Sequence, residues 1–163
     1  MEFKQTVIKA LQYYVYCLVD PRDNKIFYIG KGHGNRVFNH VADSLNENLD
    51  CLKLNTIRDI HQHGLQVVYY IIRHGLTEDA AYIVESALID VLTYEQFNTE
   101  SILTNIYAGH HQWDKGVKTV EEINTMYDCD ELQPNSGDRI ICINVNKTYK
   151  PGTDYYGVRD NLY

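Results

Sequence analysis

The feature that most constrains this chain is a pair of short β-type runs set close together near its N-terminus. Tyr13 to Val19 reads YYVYCLV, dense in aromatic and β-branched residues, and the turn-forming run Asp20-Pro21-Arg22-Asp23-Asn24 follows it. Ile26 to Ile29 (IFYI) is a second such run and ends at Gly30. Two runs of this kind with a turn between them should pair as an antiparallel hairpin. The chain then enters Gly30-Lys31-Gly32-His33-Gly34-Asn35, whose three glycines permit a tight loop that a ligand backbone can approach closely.

Downstream, periodicity of 3.6 takes over. A helix is expected with Asn35 as its cap, since Val37, Val41 and Leu45 recur on one face. A second is expected between Asp50 and His63, with Leu52, Leu54, Ile57 and Ile60 to one side and Gly64 as its stop signal. Leu65 to Arg73 (LQVVYYIIR) reads as a third, well-buried strand. Thr77-Glu78-Asp79-Ala80 opens the strongest helix, running to about Leu92 with Ala80, Ala81, Val84, Ala87, Leu88 and Val91 as its core stripe. The order β-β-α-α-β-α defines an α+β fold, a small three-stranded antiparallel sheet flanked by helices.

Beyond that unit, Leu103-Thr104-Asn105 leads into Gly109-His110-His111, and Thr119-x-x-Glu122 is a capping box that announces a short helix around Val120 to Met126. The expected division is a core over residues 1–127 and an extension over 128–163. The extension comprises an acidic, turn-rich linker to Asp138 and a strand-like run, Arg139 to Val145.

The 163 residues suffice for one buried core, and no apolar stretch approaches the roughly 18 residues of a membrane span. Residues 1–10 lack the apolar core of a signal peptide, which favours an intracellular protein. Cys17, Cys51, Cys129 and Cys142 show no CxxC spacing, so neither a disulfide scaffold nor a zinc knuckle is suggested. The pairs His61-x-His63 and His110-His111 do not change this, because on a helix His61 and His63 point about 200° apart.

The chemistry-bearing residues are a combination. Tyr16 and Tyr28 fall on the two strands of the hairpin, Lys31 lies between two glycines, Arg36 opens the next helix, and Glu85 sits among apolar neighbours on a later one. With these residues the sequence resembles the GIY-YIG nuclease family, whose signature triplets correspond to Tyr14-Val15-Tyr16 and Tyr28-Ile29-Gly30. The second triplet matches fully; the first departs at its leading two positions. The longer strings Asp20-Pro21-Arg22, Phe27 to Gly32 and Gly34 to Phe38, with His40 after them, look closest to one subgroup. It contains the animal nucleases with ankyrin repeats and a LEM domain, together with uncharacterised bacterial relatives.

The resemblance, over roughly residues 12–110, implies a metal-dependent DNA endonuclease acting on branched or bridged DNA. It implies Tyr16, Tyr28, Arg36 and Glu85 as catalytic residues, Glu85 as ligand of Mg²⁺ or Mn²⁺, Asn105 as a late asparagine supporting the site, and His40 as a further catalytic residue. Physical chemistry gives these roles content. One carboxylate can hold Mg²⁺ if waters and the scissile phosphate complete its octahedron. Arg36 meets phosphate through its planar fork, while Lys31 and the Gly30 and Gly32 backbone face the anion. Tyr16 is expected to orient or deprotonate water, which needs its phenol pKa of about 10 depressed by nearby cations, and His40, titrating nearer neutrality, is a rival base. His110 is a candidate at the edge of the DNA-binding face.

The net charge of −7 looks wrong for binding a polyanion until it is divided. Residues 1–76 hold nine Lys and Arg against seven Asp and Glu, a balance of +2, whereas residues 77–163 hold six against fifteen, a balance of −9. DNA is therefore expected on the N-terminal half. The alternatives are a sequence-specific restriction or homing-type nuclease, and an inactive DNA-binding or interaction module on the same fold.

Overall fold

The computed structural model describes residues 2–46, 49–97, 103–105, 115–128, 130, 133–137 and 139. Its elements are α1 (Gln5–Leu11), β1 (Tyr13–Val19), β2 (Ile26–His33), α2 (Arg36–Ser44), α3 (Leu52–Gln62), β3 (Val68–Leu76), α4 (Glu78–Thr93) and α5 (Val120–Tyr127). The chain divides into two units, Met1–Ile123 and Asn124–Tyr163. In the second, the described residues comprise the last turn of α5, Asp128, Asp130, residues 133–137 and Arg139. Beyond Arg139, the run expected as a strand to Val145 lies outside the described residues, as does His110.

In the first unit the three strands form one antiparallel sheet in the order β2-β1-β3. The central strand is apolar at every position, and burial on both faces follows. Tyr14, Tyr16 and Leu18 pack with Val37, Leu54, Ile57 and Ile60 on the α2/α3 side. Val15, Cys17 and Val19 pack with Ala81 and Ile89 on the α4 side. The turn between β1 and β2 is tied to α3 by Arg22, which pairs with Asp20 at 2.6 Å and Asp59 at 2.5 Å.

Several expectations are corrected. β2 does not stop at Ile29: it continues through Gly30, Lys31 and Gly32 to His33, so the glycine-rich loop contracts to the turn at Gly34-Asn35. The reason is steric. Gly30 lies opposite Tyr16 and Gly32 opposite Tyr14. A Cβ on Gly32 would stand 2.8 Å from the Tyr14 ring, and one on Gly30 2.8 Å from Tyr28 and 2.9 Å from Tyr16. Gly30 and Gly32 make room for tyrosines of the partner strand and of β2 itself, and of the three glycines in this run Gly34, with φ +59°, uses glycine's left-handed freedom.

β3 begins at Val68, three residues late, because Leu65 is spent terminating α3. Its amide donates to Ile60 O at 3.2 Å, while Gly64 N, at φ 74°, donates to His61 O at 2.9 Å. These two bonds make a Schellman cap. β3 is also an edge strand rather than well buried, with Tyr70 and Ile72 exposed. On α4, Ala87 and Val91 face solvent and Ile89 takes their place in the core. On α2, Leu45 is 76% exposed and His40 is wholly buried. The seven-residue α1 is unforeseen; none of its residues is fully buried, and Leu11 packs against the core.

The capping signals are borne out. Thr77 Oγ1 accepts from Ala80 N at 3.2 Å, and Thr119 and Glu122 bond reciprocally at 2.7 and 3.1 Å. Asn35 stands at the N-cap of α2, but its side chain accepts from Phe3 N at 2.7 Å instead.

If the glycines exist to seat tyrosines, Gly32→Ala forces the buried Tyr14 ring to move. It should destabilise the protein by about 1–3 kcal/mol in denaturant titrations, as overpacking of a filled core does. Unchanged stability would show that the ring yields freely.

Candidate active site

The site forms where the two faces of the sheet meet at the outer edge of β2. Strand alternation puts Tyr14, Tyr16 and Tyr28 on the α2/α3 side, with Tyr16 centred 5.9 Å from Tyr14 and 6.2 Å from Tyr28. Tyr14, outside the expected catalytic set, has a structural task. Its hydroxyl donates to Gly34 O at 2.8 Å and accepts from Val37 N at 3.2 Å, satisfying a first-turn amide of α2. Tyr14 thereby fixes the start of the helix that carries Arg36 and His40. The far end of α2 is held by Arg58, whose guanidinium bonds Ser44 O at 2.9 Å.

His40, one turn beyond Arg36, turns its ring into the core. Its Nε2 is hydrogen-bonded to the Tyr16 hydroxyl, and its buried Nδ1 has no hydrogen-bond partner among the described residues. Tyr28 is half-buried and packs against both rings, 5.2 Å from His40. Lys53 of α3 completes the group, its Nζ 4.4 Å from the centre of the Tyr28 ring.

Protonation here departs from expectation. Burial pushes the Tyr16 phenol far above its ordinary range, reinforced by Tyr28, and the opposing pull of Arg36 does not compensate. His40 moves the other way, down to about 3, through burial and the neighbouring charges of Lys53 and Arg36. Tyr28 is raised by burial and by Glu85. The pair Tyr16–His40 is therefore a neutral phenol on a neutral imidazole, not the cation-depressed phenol or the near-neutral histidine that the sequence suggested. Tyr16 and His40 are covered, and Tyr28 is the half-exposed residue through which the pair meets solvent.

Glu85 arrives from the opposite face. On α4, Glu78, Tyr82 and Glu85 follow at helical spacing and line up beside β2. Glu85 Oε1 accepts from Lys31 N at 2.8 Å, and Oε2 has no protein partner among the described residues. Burial raises its carboxyl above the ordinary range, with the Lys31 amide opposing. Through Lys31 N it is tied to β2, the strand that carries Tyr28.

The other expected residues are distributed as follows. Arg36 is exposed and has no ion-pair partner among the described residues. The Lys31 ammonium is engaged elsewhere, bonded to Glu78 at 2.6 Å and lying 3.5 Å over the Tyr82 ring, so its backbone rather than its charge serves the site. Asn105 grips the backbone between Tyr28 and Gly30, its Oδ1 accepting from Ile29 N at 3.1 Å and its Nδ2 donating to Ile29 O at 2.8 Å. Tyr14 and Lys53 were missed by sequence reasoning. Lys53 had a signal, since it shares the face of Ile57 and Ile60 on an otherwise apolar stripe.

No group of three or more His, Cys, Asp or Glu side chains among the described residues is placed to hold a metal ion. Mg²⁺ does not need such a group, because it keeps most of its waters and takes one or two carboxylates plus substrate phosphate. Glu85, with one oxygen anchored and one open, fits that demand.

A hairpin-led antiparallel sheet carrying paired tyrosines, an arginine on the following helix and a carboxylate from the helix on the other face is the architecture of a GIY-YIG nuclease domain. The chain belongs to the LEM-3-like GIY-YIG domain family, which matches residues 13–147, from the first residue of β1 to beyond α5. It is similar to the ankyrin repeat and LEM domain-containing protein 1 homolog of Caenorhabditis elegans, at 26% identity over 127 residues. The similarity covers 65% of this chain and 18% of that protein, so the chain spans less than a fifth of the relative's length. No solved structure matches the chain.

The His40 shift has a signed consequence. A folded-state value of about 3 lies below the unfolded value of about 6.5, so the unfolded chain binds more protons between them. Stability contributed by neutral His40 is present above about pH 6.5 and is lost as pH falls through that window. Denaturant titrations should show stability declining on acidification, and His40→Gln should flatten the slope. An equal slope in the variant would contradict a buried neutral imidazole.

Proposed function

We propose that this protein is a divalent-metal-dependent DNA endonuclease that hydrolyses phosphodiester bonds by a one-metal mechanism. The observation that carries the reading is an anchored carboxylate, Glu85, bonded to the strand that carries Tyr28, with an exposed guanidinium, Arg36, one helical turn from His40 of the tyrosine–histidine cluster. The family supports nuclease chemistry, and DNA is the substrate such a domain implies.

Glu85 would hold Mg²⁺ or Mn²⁺ through Oε2, and the bound ion would offset charge on the phosphate and on the departing oxygen. Arg36 clamps the non-bridging oxygens in a bidentate fork. Lys53 adds a second cation beside Tyr28, raising the local positive potential. Tyr28 positions the attacking water at the solvent side of the cluster. The water's proton passes to the Tyr28 hydroxyl as Tyr28 gives its own to Tyr16 and Tyr16 gives its own to His40 Nε2, so no phenolate has to form beforehand. The low proton affinity of His40 in the free protein rises once the negative phosphate sits beside it. Asn105 keeps Tyr28 and Gly30 in register by holding Ile29.

The reading places DNA on the basic N-terminal half and favours branched or otherwise structured DNA, in line with the subgroup resemblance. The test is incubation with Mg²⁺ and supercoiled, linear, branched and single-stranded DNA. Wild type should cut branched DNA best, Arg36→Ala should lose about 10²–10³-fold in kcat, and Glu85→Gln should lose at least as much. No cleavage by wild type, or equal cleavage by Glu85→Gln, overturns the proposal.

A further inference from the structure

Immediately beside Glu85, on the same side of the sheet, lies an open cavity of about 270 Å³ lined by Tyr13, Lys31, Gly32, His33 and Arg36. Its walls are aromatic. The Tyr13 and His33 rings, facing each other across the β1/β2 register, are 5.0 Å apart at 45°. Gly32 lines the cavity with backbone alone. The walls are braced from α4: the Tyr13 hydroxyl donates to Glu78 Oε2 at 3.2 Å, and Glu78 Oε1 receives the Lys31 ammonium, which spans the Tyr82 and Tyr13 rings.

The charge pattern says what the cavity holds. Glu78 neutralises Lys31, so the Lys31 charge is not free to draw a phosphate inward. Arg36 lines the cavity with an exposed guanidinium that has no ion-pair partner among the described residues, so phosphate is drawn to that side and not to the interior. A ligand with a π-face inward and a phosphate at Arg36 is a nucleotide. The step from the Glu85-anchored Lys31 amide to Gly32 is one strand residue, about 3.3 Å, so that nucleotide adjoins the phosphate at Glu85.

We infer that the Tyr13 and His33 rings form a stacking wall for one unpaired nucleobase next to the cleaved bond. The pocket rests on the nuclease reading above and narrows its substrate to nucleic acid with an unstacked base at that point. A base within a duplex has both faces covered by its neighbours, whereas one in a flap, a gap or a branch presents a free face to an aromatic wall. Stacking of this kind tolerates any base identity, so structure rather than sequence is read.

The experiment uses the full chain in EDTA, with anisotropy of a fluorescein-labelled blunt duplex and of the same duplex bearing a single-stranded thymine flap. Wild type should bind the flapped DNA about tenfold more tightly, from stacking of one base. His33→Ala, at an exposed position, and Tyr13→Ala should each remove most of that preference without weakening duplex binding, and Tyr13→Phe, which keeps the ring, should retain it. Equal affinity for the two DNAs, binding to neither, or variants that weaken both alike would each overturn the pocket. Cleavage with Mg²⁺ reads separately: cutting without flap preference refutes the pocket and leaves the nuclease proposal standing, whereas flap preference without cutting does the reverse.

Discussion

Everything at this site depends on how the outer edge of β2 is satisfied. An edge strand presents a row of unpaired amides and carbonyls, and a folded protein must cover them. Here the cover comes from parts of the site. Phe27 O accepts from Thr104 N at 2.7 Å, both polar backbone groups of Ile29 are taken by Asn105, and Lys31 N is taken by Glu85. Side chains complete what a fourth strand would have done. Their positions are thereby fixed to the strand carrying Tyr28, and a carboxylate from one face of the sheet reaches tyrosines from the other.

The central strand supplies the second constraint. Tyr14 and Tyr16 point to one side of β1 and need lateral room, which Gly32 and Gly30 provide on β2. Tyr14 uses that room to reach the first turn of α2, and Tyr16 to reach His40. A phenol and an imidazole sealed together stay neutral, and the cations beside them, Arg36 and Lys53, make protonation of the imidazole costlier still until an anion arrives.

Much of this was legible in the sequence where the signal was local. β1 has the expected bounds because seven consecutive β-formers admit no other pattern, and Thr77 caps α4 because a hydroxyl before two acids is a complete instruction. The α+β fold and the β-β-α-α-β-α order follow from such signals. What escaped was non-local. Gly30 and Gly32 read as a loop because the tyrosine rings that require them belong largely to the neighbouring strand. The start of β3 was set by a helix terminator that borrowed Leu65, and the proton states of Tyr16 and His40 depend on burial that sequence does not state. Lys53 shares the core-facing side of α3 yet acts only because Tyr28 lies opposite.

The tie between sheet edge and site can be measured directly by native-state hydrogen exchange at the amides of Ile29 and Lys31. Both point away from β1, where an uncovered edge strand would exchange freely. Protection at both is expected in the wild-type protein, with Glu85→Ala releasing Lys31 while Ile29 stays protected by Asn105. Free exchange at Lys31 in the wild type would contradict the anchoring of Glu85 to β2 on which the proposed chemistry rests.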